Sequence, residues 1–285
     1  MATRGFDIEI NEVKDDADFF IAMGIESSLK MDLLIADKEK ITGKKINAIT
    51  INNFLDLPHW RLKDNIWKKY YASYRKILDK GDYILGLSNT SLKDLERVWG
   101  LKGTRMFSYY MNKEIEELSK IDVEKIDQII SIGRFAPTKR FEVVLDALNM
   151  IGYKGKYMVI GPSDYGLNSH YMNYYKKFAK RYNIDLEIKT KVTYKDLFTE
   201  LKRSKICVVP TVFEGLGHPS FESVCAETEF IAADIPVKRE FHDDTIHYAI
   251  ADNVTSFAQK IKQILSGEVK MDFEKALKQI EPFKV

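Results

Sequence analysis

From about Lys125 onward, short apolar runs rich in isoleucine and valine alternate with longer stretches whose apolar residues recur at helical spacing. Asp127–Ile132, Tyr157–Ile160, Leu186–Ile188, Ile206–Val209 and Phe230–Ala233 predict strands. Phe141–Met150, Ser169–Tyr182 and Tyr194–Arg203 predict helices; in the first, apolar residues fall at 141, 144, 145 and 148, one face of a 3.6-residue period. Gly161–Pro162 closes the second strand. Such alternation predicts a parallel sheet covered on both faces. Ligands bind such sheets beyond the carboxyl ends of the strands. Gly133–Arg134, Gly161–Pro162, Lys191–Val192 and Glu214–Gly215 each follow a predicted strand, so all four are expected to line one crevice.

The N-terminal stretch repeats the pattern more loosely. Phe19–Met23, Ile46–Ile51 and Tyr83–Leu87 read as strands and Ile66–Leu78 as a helix. Two α/β domains are therefore expected, residues 1–122 and 123–285, with a linker near Met111–Asp122. The last helix is expected to pack back on the N-terminal domain.

Composition narrows the picture by exclusion. The 285 residues are 45% hydrophobic and 30% charged, an ordinary core-forming mixture. A net charge of +2 leaves no global footprint for nucleic acid. No apolar run is long enough to span a bilayer, and Met1–Asp7 has no signal-peptide core. Cys207 and Cys225 sit in apolar segments without CxxC or histidine neighbours, so a reduced, cytoplasmic protein without a bound metal is expected. Residues 59–78 carry lysines and arginines with Trp60, Trp67, Tyr70, Tyr71 and Tyr74. They read either as a plain amphipathic helix or as a basic aromatic face for a peripheral membrane contact or an anionic acceptor.

The chemistry concentrates in Glu214-Gly215-Leu216-Gly217-His218-Pro219-Ser220-Phe221-Glu222. A buried strand precedes it, and Phe221–Glu227 reads as a short helix with Pro219 near its first position. Strand, glycine turn and helix start present backbone N–H groups and a positive dipole end to an anion. Two fixed carboxylates beside an anion site suit a ligand with phosphates and hydroxyls, such as a nucleotide sugar. Upstream, Gly133-Arg134-Phe135-Ala136-Pro137-Thr138-Lys139-Arg140 offers a planar guanidinium fork and a mobile ammonium five residues apart, apt for a diphosphate. Taken alone, that segment also reads as solvated surface charge, and Glu214 and Glu222 as a helix-start charge and a surface carboxylate.

Together the two segments resemble the retaining glycosyltransferases of family 4, which have the two-domain GT-B fold. That family shows G-R-x(4)-K followed by an E-x7-E strand–turn–helix, usually E-G-F-G-x-P-x-x-E; this chain reads E-G-L-G-H-P-S-F-E. Asp234–Glu240 resembles the segment that follows, and Ser88–Leu95 a helix start late in the family's N-terminal domain. The resemblance implies a GT-B-like α/β fold: two Rossmann-like domains with parallel sheets facing a central cleft, the N-terminal one reduced.

The resemblance also implies roles. Arg134 and Lys139 would stabilise the donor diphosphate as leaving group. Glu214 would bind donor-sugar hydroxyls, with the backbone of Gly215, Leu216 and Gly217. Glu222 would bind the ribose, the segment around Lys191 and Val192 would face the base, and Gly133 would join the donor-binding residues. A UDP- or GDP-sugar would be the donor and a glycan, lipid-linked or protein molecule the acceptor, with no cofactor or metal. The family commonly places a histidine near the donor sugar after a strand like Ile46–Ile51; here Asn52, Asn53 and, further on, His59 are the available residues. Other departures are Arg140, where a glycine usually follows the lysine, and Glu227-Thr228-Glu229-Phe230, where G-x-P-V is usual. A non-catalytic nucleotide-sugar-binding scaffold and a nucleotide-sugar epimerase on the same fold are the alternatives.

Overall fold

A computed structural model describes residues 19–23, 39, 47–51, 83–105, 113–162 and 168–283. The chain divides into two compact units, Met1–Met106 and Phe107–Val285.

The first unit contains strands β1 (Phe19–Met23), β2 (Asn47–Ile51), β3 (Tyr83–Gly86) and β4 (Thr104–Arg105), hydrogen-bonded in that order and all parallel. Helix α1 (Asn89–Trp99) follows β3. Ser88 caps it, its hydroxyl accepting from Ser91 N–H at 3.1 Å, and Gly100 ends it at φ +66°. A Cβ on Gly86 would stand 2.6 Å from Leu92 Cδ2, so the missing side chain lets α1 lie close on the strand. The predicted helix Ile66–Leu78, the basic aromatic face at 59–78, and Asn52, Asn53 and His59 lie outside the described residues.

The second unit begins with α2 (Lys113–Ser119). Then come β5 (Gln128–Ile132), α3 (Phe141–Met150), β6 (Lys156–Ile160), α4 (Asn168–Tyr182), β7 (Asp185–Lys189), α5 (Tyr194–Arg203) and β8 (Ile206–Val209). They are followed by α6 (His218–Cys225), β9 (Glu229–Ala233), α7 (Pro236–His242), β10 (His247–Ala249), α8 (Val254–Leu265) and α9 (Phe273–Ile280). The sheet runs β10-β9-β8-β5-β6-β7, every pair parallel. Every residue of β5 and β8 is buried, as expected of central strands covered on both faces. Helices α3, α4 and α8 pack together, and α2, α5, α6 and α9 form a second group; β9 is covered from both, by α6 and α8.

Two boundaries differ from the sequence expectation. The units divide after Met106 rather than after 122. Residues 113–119 were expected in a linker, but they form a helix that buries Ile115 and Leu118 against α5 and α6. The last helix, α9, packs on α6 and α7 of its own unit, burying Ala276 and Ile280; Phe283 beyond it meets the rings of Phe221 and Phe241 at 6.2 and 5.1 Å. Cys207 and Cys225 are buried and not joined.

Candidate active site

The strand order reverses between β5 and β8, from which the sheet grows outward in both directions. A parallel sheet opens its ligand crevice at such a reversal. β5 leads into Gly133–Arg140 and β8 into Pro210–Gly217, so topology brings the two segments to one place. Val212 N–H donates to the Thr138 carbonyl at 3.1 Å. Lys139 Nζ donates to Glu214 Oε2 at 2.7 Å, with only 12% and 17% of the two side chains exposed. Shielding of that degree sets this pair apart from a solvated surface bridge.

Glycines make the approach possible. Gly133 sits at φ +152°, and a Cβ there would lie 3.3 Å from Lys139 Cδ and Cε. The 3-10 turn Pro137–Lys139 then brings the lysine back over that glycine. Gly217, at φ +82°, is the N-cap of α6. A Cβ on it would collide with Lys238 Nζ and stand 3.0 Å from Glu214 Cγ. The positive N-terminal end of α6 therefore rests against the Glu214 side chain. Gly215 and Leu216 are buried in the same turn, while Arg134 and His218 are exposed.

Glu222, four residues into the helix, is 8% exposed. The Tyr194 hydroxyl donates to its Oε1 at 2.9 Å. Tyr194 opens α5 behind its N-cap Thr193, which follows Lys191, exposed, and Val192, half-buried. The loop beyond β7 is thus tied to α6 through a tyrosine absent from the sequence-derived site.

The two carboxyls have different electrostatic surroundings. Burial pushes both upward. At Glu214, Lys139 and then Lys238 overrule burial and hold the carboxyl below its usual range. At Glu222 burial prevails over the Tyr194 hydrogen bond and the Lys238 charge, and the carboxyl is raised. Lys238 was also missed in the sequence. It lies on α7 with Val237, Phe241 and His242, all buried, so the inward face of that helix carries two basic groups among its apolar ones.

The two departures from the family pattern share one backbone cause. Arg140 has φ +53° and Glu227 φ +50°, the left-handed conformation a glycine adopts without strain. Arg140 is held by Glu142 and Asp252, at 2.7 and 2.6 Å. At the other position, Lys125 Nζ donates to the carbonyl of Glu227 and to the Thr228 hydroxyl, at 3.1 and 2.9 Å.

Residues 113–281 match the family model described as "Glycosyl transferases group 1". The chain belongs to the group 1 glycosyl transferases. A relative within reach of sequence comparison is the O-antigen chain mannosyltransferase RfbU of Salmonella typhimurium, 29% identical over 213 residues, or 70% of this chain and 56% of the relative. The chain thus spans just over half the length of that protein. Among solved structures, the sucrose-phosphate synthase of Thermosynechococcus elongatus superposes with a TM-score of 0.68 at 14% identity, covering 93% of this chain and 67% of that one. Anabaena HepE, solved with UDP and glucose, gives 0.68 at 12% identity, covering 95% and 73%. At these identities the likeness shows the fold alone, the GT-B fold. Within this group 1 glycosyl transferase no described helix is long and apolar enough to cross a membrane.

Proposed function

We propose that this chain is a retaining glycosyltransferase of family 4 that moves a sugar from a nucleotide-sugar donor to an acceptor hydroxyl without a metal. The observation that carries the reading is the Lys139–Glu214 pair at the strand-order reversal, set against the N-terminal end of α6. In a glycosyl diphosphate the sugar hydroxyls and the phosphate oxygens are a few bonds apart. A carboxylate and an ammonium in direct contact match that spacing, one for each half. The bond from the anomeric carbon to the phosphate oxygen breaks, and the nucleoside diphosphate leaves with the electron pair. The acceptor oxygen bonds the anomeric carbon on the face just vacated, and its proton passes to the departing phosphate. Lys139, Arg134 and the helix end would neutralise the charge that grows on the leaving group, the kind of preorganised stabilisation that carries most of a rate enhancement. Glu222, steadied by Tyr194, would take the ribose hydroxyls.

UDP-glucose and GDP-mannose are the first donors to try, because one relative is named a mannosyltransferase and one structural neighbour holds UDP and glucose. A thermal-shift screen across UDP-, GDP- and ADP-sugars tests donor binding. Donor turnover in EDTA, with the anomeric configuration of the product read by NMR, tests the rest. Inverted product, or activity lost in EDTA and restored by Mg²⁺ or Mn²⁺, would overturn the mechanism. Binding without transfer or hydrolysis would favour a scaffold.

A further inference from the structure

Beneath the Glu214–Gly217 turn lies a buried polar cluster to which the proposed donor contacts assign no role. Lys238 is 1% exposed, Ser220 and His242 not at all. Lys238 Nζ donates to the Gly217 carbonyl at 3.1 Å and to Ser220 Oγ at 3.0 Å, and stands 5.7 Å from the centre of the Phe230 ring. The Ser220 hydroxyl donates its proton to the same Gly217 carbonyl, at 2.7 Å. His242 Nε2, 2.7 Å from Ser220 Oγ, must then be the donor, which makes the imidazole the Nε2–H tautomer. A serine engaged in this way and wholly buried is no nucleophile. The cluster instead braces the turn from below, and its one full charge is the lysine.

The position of that charge is set by Gly217. A Cβ on this glycine would strike Lys238 Nζ and approach Glu214 Cγ to 3.0 Å. The lysine and glutamate side chains therefore both close on the space beside the same α-carbon. Two of the three lysine N–H donors are used by the turn, and the side chain has no room to leave. Lys139, by contrast, is 12% exposed and must exchange its bond to Glu214 for the diphosphate when a donor arrives. A shielded carboxylate that loses its counter-ion is strongly disfavoured.

We infer that Lys238 is a positioning residue of the donor site: a fixed buried cation at neutral pH that shapes the Glu214–Ser220 turn and neutralises Glu214 while Lys139 serves the diphosphate. The inference rests on the nucleotide-sugar reading above. Burial pushes the Lys238 ammonium down to about 8, opposed chiefly by Glu214. The other ionisable groups around it are Lys139 beyond β5, Cys207 on β8, His218 and Glu222 on α6, and His242 on its own helix. Above about pH 8 the lysine becomes neutral and Glu214 loses its fixed counter-charge. kcat/KM, which reports the free enzyme, should then fall on the alkaline side, and the limb in kcat should lie higher because bound diphosphate favours the ammonium.

The test compares wild type with Lys238→Met and Lys238→Gln. It follows turnover of UDP-glucose and GDP-mannose from pH 6.5 to 9.5, UDP and GDP binding by calorimetry, and thermal unfolding as a check on folding. Folded variants are expected to bind the free nucleotide more weakly than wild type, because Glu214 then has no second cation when Lys139 turns to the diphosphate, to lose roughly tenfold or more in kcat/KM, and to lack the alkaline limb. A brace without an electrostatic role would lower stability and leave the pH profile in place, and that result would overturn the inference. If neither variant folds, the wild-type profile decides: a kcat/KM flat between pH 7 and 9.5 removes the proposed role. A wild type that binds no sugar nucleotide brings down both readings, whereas wild-type turnover with unchanged variant profiles brings down this one alone.

Discussion

On the proposed donor contacts, replacing Glu214 by glutamine separates the sugar half of the site from the phosphate half. In the structure Glu214 is the direct partner of Lys139 at 2.7 Å, largely shielded, and the buried Lys238 also lies against Gly217. Removing the charge leaves two cations without their anion. Hydrogen bonds to charged groups contribute roughly 1.5–3 kcal/mol, so the ligand-free variant should lose about 2 kcal/mol and unfold roughly 4–8 °C lower. The nucleotide should behave the opposite way. In the wild type the diphosphate must displace Lys139 from Glu214, and in the variant that step is weaker. UDP or GDP should therefore bind at least as tightly, by up to about tenfold, or 1.4 kcal/mol. At 100 times Kd the bound nucleotide contributes about 2.7 kcal/mol and should return the variant's melting temperature to that of the ligand-free wild type. Turnover should still fall by on the order of 100-fold, because a carboxylate aimed at the donor sugar has been lost. Calorimetry, thermal unfolding with and without nucleotide, and donor turnover read the three effects separately. A tenfold loss of free-nucleotide affinity would refute the reasoning, since it would place Glu214 on the nucleotide and not on the sugar.

Tyr194→Phe removes the bond to Glu222 Oε1 and should weaken UDP or GDP binding about fivefold, the ~1 kcal/mol of one hydrogen bond. Because the Glu222 carboxyl is already raised by burial, nucleotide affinity should decline as pH falls toward 5, and in this variant the decline should begin at higher pH; calorimetry at several pH values checks both. Glu227→Gly relieves an exposed left-handed position and should raise stability by about 0.5–1 kcal/mol in urea unfolding, a gain that would not appear if the Glu227 side chain braced the turn. His242 is kept from protonating by burial and by Lys238, its pKa driven well below 6.5, whereas the unfolded chain takes up that proton near 6.5. Its share of stability is thus complete above pH 6.5 and is lost on acidification at about 1.4 kcal/mol per pH unit. Glu142 and Glu222, raised by burial, oppose this, so the diagnostic is the difference in urea unfolding between wild type and His242→Gln from pH 7 to 5.5; parallel curves would contradict it.

How far the fold could be read along the chain depended on how each element is stabilised. β5, β6, β8 and β9 were legible because central parallel strands are buried on both faces and so appear as largely apolar runs, Ile206–Val209 most plainly; β7, an edge strand with no buried residue, showed only the alternation of Leu186 and Ile188. β10 was not. It is three residues long, and its first, His247, is held by a polar contact to Glu229 at 2.7 Å. α2 reads as linker because Lys113–Ser119 is mostly charged and only Ile115 and Leu118 secure it. α7 was hidden by its own inward face, where a lysine and a histidine replace the apolar residues that periodicity looks for.

The site divided along the same line. Lys139, Glu214, Gly133 and Gly217 could be named in advance because they lie in two short strand-to-helix segments that together resemble a family motif, although each segment taken alone also reads as surface charge. Their convergence then follows from a single topological fact, the reversal between β5 and β8. Tyr194 and Lys238 could not be named, because what makes them part of the site is a contact across the fold, to Glu222 on α6 in one case and to Gly217 and Ser220 in the other. Yet these two residues lie beside the carboxylates whose acidities diverge. Lys238 helps hold Glu214 ionised against burial, while Tyr194 gives Glu222 a neutral donor that does not overcome it. A motif written as two glutamates eight residues apart treats them as equivalent. The side chains packed around them make one a charged group beside Lys139 and the other a shielded acceptor tied to the loop after β7.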